Sequence, residues 1–193
     1  MGKRYDSIPP ELQAFIEEQS LFFVATAPLA GDGHVNLSPK GLDTFRMVGP
    51  REVMYLDLTG SGNETAAHVA ENGRLTLMFC AFQGRPKIVR LYCRGRIITR
   101  KSARWDELAG NFPSFLSARQ IIIGEVEFVQ SSCGFGVPEM VMAAERDMIQ
   151  QWAETKGAEG IAEYRRTRNT VSLDGLPAPT TDPEGDVGRE NIS

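Results

Sequence analysis

Short apolar segments separated by turn residues dominate the chain up to Val129. Five segments are rich in branched and aromatic residues and each predicts a strand: residues 21–26, 52–58, 75–80, 87–99 and 120–129. Residues 34–38 alternate between polar and apolar, which predicts a sixth strand with one exposed face. Six strands joined mostly by short turns, with helices inserted, predict a mainly β domain with helices (β+α). An antiparallel barrel fits this pattern better than a doubly wound sheet.

Apolar residues recur at helical spacing elsewhere in the chain. Leu12, Phe15 and Ile16 predict a helix in the N-terminal segment, residues 1–20, with Ser7 as its cap. The other predicted helices are residues 63–71, 103–108, 113–118, a segment after Pro138 that runs through Trp152, and 158–166. The barrel domain with its C-terminal helices is expected to span residues 21–170. Residues 171–193 are rich in proline, glycine and acidic residues, so we expect an extended or disordered arm.

Composition narrows the class of protein. The chain has 193 residues, which suits one domain, and its net charge of -4 argues against a dedicated nucleic-acid binder. Three widely spaced cysteines and two histidines favour reduced thiols and argue against a structural zinc site, so no metal is expected. No apolar run approaches the roughly 20 residues that span a bilayer. We therefore expect a cytoplasmic protein with no membrane partner.

A loop of small residues joins a predicted strand to a predicted helix at residues 58–65 (LTGSGNET). Backbone N–H groups at a helix start attract anions, and glycine lets a phosphate approach the backbone closely. Ser61, Asn63 and Thr65 add side-chain donors. The loop therefore predicts a phosphate corner, although an ordinary capped turn explains the same residues. It has neither the Gly-Lys-Ser/Thr of a Walker A loop nor the full glycine pattern of a dinucleotide fold.

Ser38 and Lys40 lie two residues apart at the end of a predicted strand. Because side chains alternate along a strand, both can face one pocket, where a lysine can meet a phosphate or the electron-rich edge of a flavin. A polar turn with a solvated lysine is the alternative interpretation.

A basic stripe runs from Arg85 to Arg104 without an acidic residue. Four of its side chains share one face of the predicted strand: Arg90, Tyr92, Arg94 and Arg96. Such a stripe can bind an anionic cofactor, an acidic partner surface or nucleic acid. A solvated face with salt bridges to neighbouring strands is the alternative.

Two glycines bracket an aromatic residue at residues 132–138 (SCGFGVP). Gly134 permits close backbone approach, and Phe135 can lie against a planar ring or a partner subunit. Cys133 has no histidine nearby in the sequence to activate it, so a packed structural thiol is favoured over a nucleophile.

Together these segments resemble the pyridoxamine 5'-phosphate oxidase-like family of FMN-binding split-barrel proteins. The matching stretches are residues 35–41, 55–65 and 71–79, and residues 132–138 and 172–177 resemble a particular bacterial subgroup. The resemblance runs from about Leu21 to Pro177. It implies a six-stranded antiparallel split barrel and a homodimer with FMN in a cleft at the subunit interface.

The resemblance also implies where the cofactor is contacted. Lys40 stands where the family has a lysine after its second strand, and Glu64 and Thr65 stand where true oxidases carry a basic phosphate-binding pair. That departure argues against true oxidase activity, and it requires a positive charge from Lys40 or from the strand of Lys87 and Arg90. The expected cofactor contacts are Ser38, Lys40, Thr59, Asn63, Glu64, Thr65, Lys87, Arg90, Cys133 and Gly134.

The leading functional hypothesis is an FMN-dependent oxidoreductase acting on a small molecule, with no protein nucleophile assigned. Pyridoxamine phosphate is a poor candidate substrate, because the substrate-binding tryptophan and arginine motif of true oxidases is not found after Trp152. The alternatives are a non-catalytic flavin or tetrapyrrole binder or sensor, a deazaflavin-dependent reductase, and a nucleic-acid or protein-interaction module.

Overall fold

The computed structural model of the chain describes residues 2–179, and this range contains eight strands and four helices. The strands are β1 (Lys3–Tyr5), β2 (Phe22–Thr26), β3 (Asn36–Lys40), β4 (Phe45–Gly49), β5 (Glu52–Leu58), β6 (Arg74–Cys80), β7 (Ile88–Thr99) and β8 (Ala118–Ser132). The helices are α1 (Pro10–Glu17), α2 (Glu64–Asn72), α3 (Trp105–Ala109) and α4 (Met148–Arg168).

The strands form one antiparallel sheet that curls on itself. Seven of them follow the order β3-β2-β6-β7-β8-β5-β4, and β1 pairs with β8. Phe22 of β2 and Phe45 of β4 lie near opposite ends of that order, yet their ring centroids are 5.4 Å apart. This contact across the interior closes the sheet into a split barrel and confirms the predicted fold class, with eight strands instead of six.

Alternation along the strands builds the barrel core. In β7, Leu91 and Cys93 are buried while Arg94 and Arg96 are exposed, as the pattern of the sequence predicts. α1 contributes its apolar stripe of Leu12, Phe15 and Ile16 to the same core, and so covers one end of the barrel. A second apolar cluster lies under α3 and includes Phe112, Phe115 and Ile123.

Two strands were not predicted from the sequence. β1 has only three residues and lies in the segment assigned to the N-terminal helix; that helix occupies only Pro10–Glu17, with Pro9 and not Ser7 at its cap position. β4 pairs with β5 across a turn at Pro50-Arg51. β1 is held by β8, which is distant in the sequence, and β4 has only a weak strand signal of its own, so propensity alone does not reveal either strand.

The helices near the C-terminus also differ in part from the expectation. Residues 113–118 are not helical: the Ala118 N–H donates to Phe115 O at 3.0 Å in a turn, and both side chains enter the second apolar cluster. α4 begins only at Met148: residues 138–147 have no regular secondary structure, and Met140 N–H donates to Phe82 O. α4 is interrupted at Gly157, where φ is 66°, so it contains the two predicted helices end to end.

No helix among residues 2–179 is both long and apolar enough to cross a membrane. Of the predicted arm, residues 171–179 are described and residues 180–193 lie outside the described range.

Candidate functional site

A cavity of about 480 Å³ opens where β3, the end of β5, the start of α2 and the start of β8 meet. Ligand sites usually occupy about 300–1,000 Å³, so the cavity can hold a cofactor-sized molecule. Nine of the 13 residues that line it are polar or charged, and the full set is Asn36, Ser38, Lys40, Asp57, Leu58, Gly60, Ser61, Gly62, Asn63, Glu64, Thr65, Arg119 and Leu173.

β3 supplies one wall of the cavity through alternate residues. Asn36, Ser38 and Lys40 face the cavity, while Leu37 between them is exposed on the other face. The Ser38 hydroxyl donates to Asn36 Oδ1 at 2.9 Å, and Asn36 Nδ2 donates to Thr65 Oγ1 at 3.0 Å. These bonds tie β3 to the first turn of α2 and fix the polar wall.

Asp57 forms the charged floor of the cavity. Its side chain is 2% exposed, and its oxygens accept hydrogen bonds from Lys40 Nζ at 2.8 Å, Arg119 Nη2 at 2.7 Å and Gln120 Nε2 at 2.8 Å. Burial acts to raise the pKa of this carboxyl, but the charges of Arg119 and Lys40 outweigh it and hold the pKa well below its ordinary value. Asp57 therefore stays ionised and holds both cations in place.

Arg119 also braces the glycine loop, which is residues 59–63 between β5 and α2. Its Nη1 donates to Gly62 O at 2.9 Å and to Asn169 Oδ1 at 2.8 Å, and Asn169 Nδ2 donates to Gly60 O at 3.1 Å. Asn169, the residue after α4, thus holds the loop from outside the cavity. The carbonyl groups of Gly60 and Gly62 are therefore both satisfied by side-chain donors.

Asn63 stands at the cap position of α2 but does not cap it. Its side chain accepts from Gln120 Nε2 at 2.8 Å and donates to Asn169 O at 3.2 Å. Because the side chain points inward, it leaves the first-turn N–H groups of α2 without the usual cap. At the other end of α2, Gly73 takes the left-handed conformation at φ 71°, as the Asn-Gly stop signal predicts.

Thr59 lies behind the wall and does not line the cavity. It is 2% exposed, its hydroxyl donates to Ser117 O at 2.9 Å, and Arg165 Nε donates to that hydroxyl at 2.8 Å. Arg165 Nη2 also donates to Ala118 O at 2.8 Å, which joins α4 to the start of β8. Thr59 therefore supports the loop structurally.

Five of the ten predicted contacts share the cavity: Ser38, Lys40, Asn63, Glu64 and Thr65. Thr59 lies behind the wall, and the remaining four contacts lie elsewhere: Lys87, Arg90, Cys133 and Gly134. Arg90 pairs with Gln130, and about 30 Å of ladder at the usual rise separates this pair from the Thr99–Gln120 pair near the cavity. The Arg90 guanidinium donates to Ser132 Oγ at 3.3 Å.

Lys87, Cys133 and Gly134 lie together at that distant end. The Lys87 ammonium sits 5.1 Å from the centroid of the Phe15 ring, and Cys133 is exposed. A Cβ on Gly134 would come within 2.9 Å of Lys87 N, so the glycine serves a close approach of the chain to itself. Within one chain, this cluster cannot reach the cavity.

Asp57, Arg119 and Asn36 are polar residues of the cavity that sequence reasoning missed. Asp57 lies inside the apolar strand β5, and an ionisable residue in such a buried run is itself a signal of a partner charge. Arg119 falls one residue before the predicted start of the last strand, and nothing local connects it with Asp57. Asn36 was included in the strand but not singled out.

The part of the chain that forms most of the cavity matches a known protein family. The model of the pyridoxamine 5'-phosphate oxidase family matches residues 8–133, which include β3, β5, α2 and the start of β8. This chain belongs to the pyridoxamine 5'-phosphate oxidase family. The match ends before α4, so Arg165 and Asn169 lie outside the shared segment.

The chain is also similar to individual proteins, one by sequence and two by structure. The chain is 39% identical over 190 residues to the pyridoxamine 5'-phosphate oxidase family protein ustO of Aspergillus flavus, covering 90% of this chain and 76% of that protein. HupZ of Group A Streptococcus, solved as a single-residue variant, superposes with a TM-score of 0.52 at 22% identity over 65% of this chain and 99% of that one. A candidate pyridoxamine 5'-phosphate oxidase of Lactobacillus delbrueckii gives 0.50 at 17% identity, over 65% and 94%. At these identities the two structures support the fold alone.

Proposed function

We propose that this protein binds FMN in the cavity and is a flavin-dependent oxidoreductase acting on a small molecule. The observation that carries the proposal is the meeting of Lys40, the glycine loop and the uncapped start of α2 in one cavity. Membership of the pyridoxamine 5'-phosphate oxidase family supports it further.

The chemistry of the donor set suits a flavin with a phosphate. Lys40, Ser38 and Ser61 offer side-chain donors, and the first turn of α2 offers backbone N–H groups. A Cβ placed on Gly60 would meet nothing within 4 Å, so the loop leaves open space for a ligand group. These residues can hold the polar edge of a ring and an anionic tail.

The charges of the cavity wall cancel, so an anionic ligand needs a further positive charge, which a second copy of the chain can supply. Lys40 and Arg119 carry two positive charges, while Asp57 and Glu64 carry two negative charges in the same wall. We propose a homodimer in which an arginine of β7 from a second copy, Arg90 in the first instance, approaches the cavity. Supporting this, β3 is an edge strand, and on its face away from the cavity Leu37 is 63% exposed, with neighbouring Val35 73% exposed.

The residues of the chain would bind and orient the cofactor. A bound flavin supplies the redox chemistry. Lys40, fixed by Asp57, places a positive charge in the wall and favours negative charge on whatever ring edge it faces. No side chain is assigned as a nucleophile.

A non-catalytic flavin or tetrapyrrole binder is the second candidate. It is favoured by one observation: Glu64 and Thr65 occupy the start of α2, where the resemblance places the basic pair of true oxidases. A deazaflavin in place of FMN would use the same wall, and competition between the two cofactors would separate these cases.

The test is direct. Purified protein would be examined for visible absorbance, the mass of any co-purified small molecule would be measured, and FMN would be titrated while its fluorescence quenching is followed. Bound FMN that is reduced anaerobically by NADH or NADPH would support the oxidoreductase, and bound FMN that neither donor reduces would favour the binder. A colourless protein that quenches no FMN fluorescence would overturn the proposal.

A further inference from the structure

A small hairpin after α4, residues 170–178, lies against the cavity. The Ser172 N–H donates to Leu176 O at 2.8 Å, the Ala178 N–H donates to Thr170 O at 2.9 Å, and Gly175 makes the turn at φ 78°. Ser172 and Ala178 are buried, so this part of the chain is packed and held by its own bonds.

Two contacts fasten the hairpin to the cavity mouth. Both carboxylate oxygens of Glu64 accept the Leu173 N–H, at 3.1 and 3.0 Å, and Leu173 itself lines the cavity. On the other side, the His34 N–H donates to Asp174 Oδ2 at 2.7 Å, and His34 Nδ1 lies 2.6 Å from Asp174 Oδ1. The hairpin is thus joined to α2 and to the segment before β3.

The Glu64 carboxylate lies over the glycine loop. A Cβ placed on Gly62 would come within 3.1 Å of Glu64 Oε1, which shows that the side chain folds back from α2 over that loop. This is the corner that the loop and the start of α2 would offer to a phosphate. In the free chain, the corner already holds a negative charge.

The charges around this corner are arranged so that an added anion is not neutralised. Lys40 and Arg119 both bond to the Asp57 carboxylate, and Glu64 adds a second negative charge whose oxygens accept Leu173 N–H. A phosphate placed beside Glu64 would meet like charge at short range. It fits the corner only if the carboxylate moves away, which breaks the bond to the hairpin.

We propose that Glu64 is the specificity-determining residue of this cavity: its carboxylate, held by the hairpin, stands in for a ligand phosphate, and a phosphorylated flavin displaces both. This inference rests on the proposed flavin-binding function and deepens it. A flavin without the phosphate, riboflavin, leaves Glu64 and the hairpin in place. The cavity therefore discriminates far less between FMN and riboflavin than a site with a basic pair would.

The test compares Glu64→Gln, which removes the charge but keeps an acceptor oxygen, with Glu64→Ala, which removes both. Glu127→Gln, at an exposed acid of β8, is the control for net charge. Affinities for FMN and riboflavin are measured by fluorescence quenching, and hydrogen exchange is followed over residues 170–178. Glu64→Gln is expected to tighten FMN by about tenfold and to leave riboflavin unchanged. FMN, and not riboflavin, is expected to lower the protection of the hairpin in the natural protein.

The outcomes separate this inference from the function on which it rests. If neither the natural protein nor any variant binds either flavin, the proposed function fails, and the proposed displacement of Glu64 by the flavin phosphate fails with it. If FMN binds but Glu64→Gln changes FMN and riboflavin affinities equally or not at all, the inference alone fails. Free Glu64→Ala protein must also lose protection over residues 170–178, and unchanged protection there would overturn the role of Glu64 without reference to any flavin.

Discussion

Asp57 and Arg119 form a buried ion pair, with Arg119 Nη2 2.7 Å from Asp57 Oδ2, although they lie 62 positions apart in the sequence. Their side chains are 2% and 4% exposed. The pair joins the end of β5 to the start of β8, directly beneath the cavity. Lys40 bonds to the other oxygen of Asp57 and brings β3 into the same unit.

Asp57→Asn should destabilise the protein strongly. The substitution leaves Arg119 buried without its counter-charge, and breaking a buried pair in this way costs about 3–5 kcal/mol. Urea unfolding would measure the loss. Arg96→Gln is the matched control, because it removes an exposed pair with Glu52 and should cost about 0–1 kcal/mol. Equal effects of the two substitutions would contradict the importance of burial.

The effect of Asp57 should depend on pH. Its pKa is lowered in the folded protein, so its contribution is fully present above its ordinary pKa of about 4 and is lost as the pH falls below that value. The difference in unfolding free energy between the natural protein and Asp57→Asn should therefore shrink between about pH 5 and pH 2.5. A constant difference over this range would mean that the carboxylate charge is not what stabilises the fold.

The Asp57–Arg119 pair also shows which features of the fold and the site follow from local sequence signals and which do not. β5 and α2 were predicted because an apolar run, a glycine loop and an Asn-Gly stop are local signals. The side of the cavity formed by β3 followed from alternation along a strand. Arg119 was missed because its role depends on β8 pairing with β5, a non-local register. The same holds for the cluster around Lys87, whose distance from the cavity depends on the length of the β7–β8 ladder.

Lys40→Gln should weaken FMN binding more than Lys87→Gln does. Lys40 lines the cavity, whereas Lys87 packs near Phe15 at the far end of the barrel. A hydrogen bond to a charged group is worth about 1.5–3 kcal/mol, so Lys40→Gln should raise the Kd by about tenfold or more. The Kd for each variant can be measured by fluorescence quenching of FMN. A larger loss for Lys87→Gln would mean that the second copy, and not β3, supplies the essential lysine.

The pKa of His34 should lie above that of an ordinary histidine. Hydrogen bonding to the Asp174 carboxylate, with its negative charge, raises the pKa of His34 and lowers the pKa of Asp174. Because the folded pKa of His34 is raised, its support of the hairpin is full below about pH 6.5 and is lost as the pH rises through the folded value. The chain has two histidines, so NMR titration with His34→Asn for assignment gives a clear readout. Asp174→Asn should return the His34 pKa toward its ordinary value, and an unshifted titration in the natural protein would refute the contact.

Gly134→Ala should destabilise the protein through backbone geometry, whether or not any ligand is bound. Gly134 has φ 66°, and an added Cβ would lie 2.9 Å from Lys87 N, which is backbone and cannot move aside cheaply. A left-handed conformation at a residue other than glycine costs of order 1–3 kcal/mol. Gly136→Ala, two residues away with nothing within 4 Å of its added Cβ, is the matched control and should be nearly neutral. If urea unfolding shows equal stability for the two variants, the close approach of Gly134 to Lys87 is not what requires glycine. The cofactor contact predicted for Gly134 would then be the remaining explanation, to be tested by FMN affinity in the same two variants.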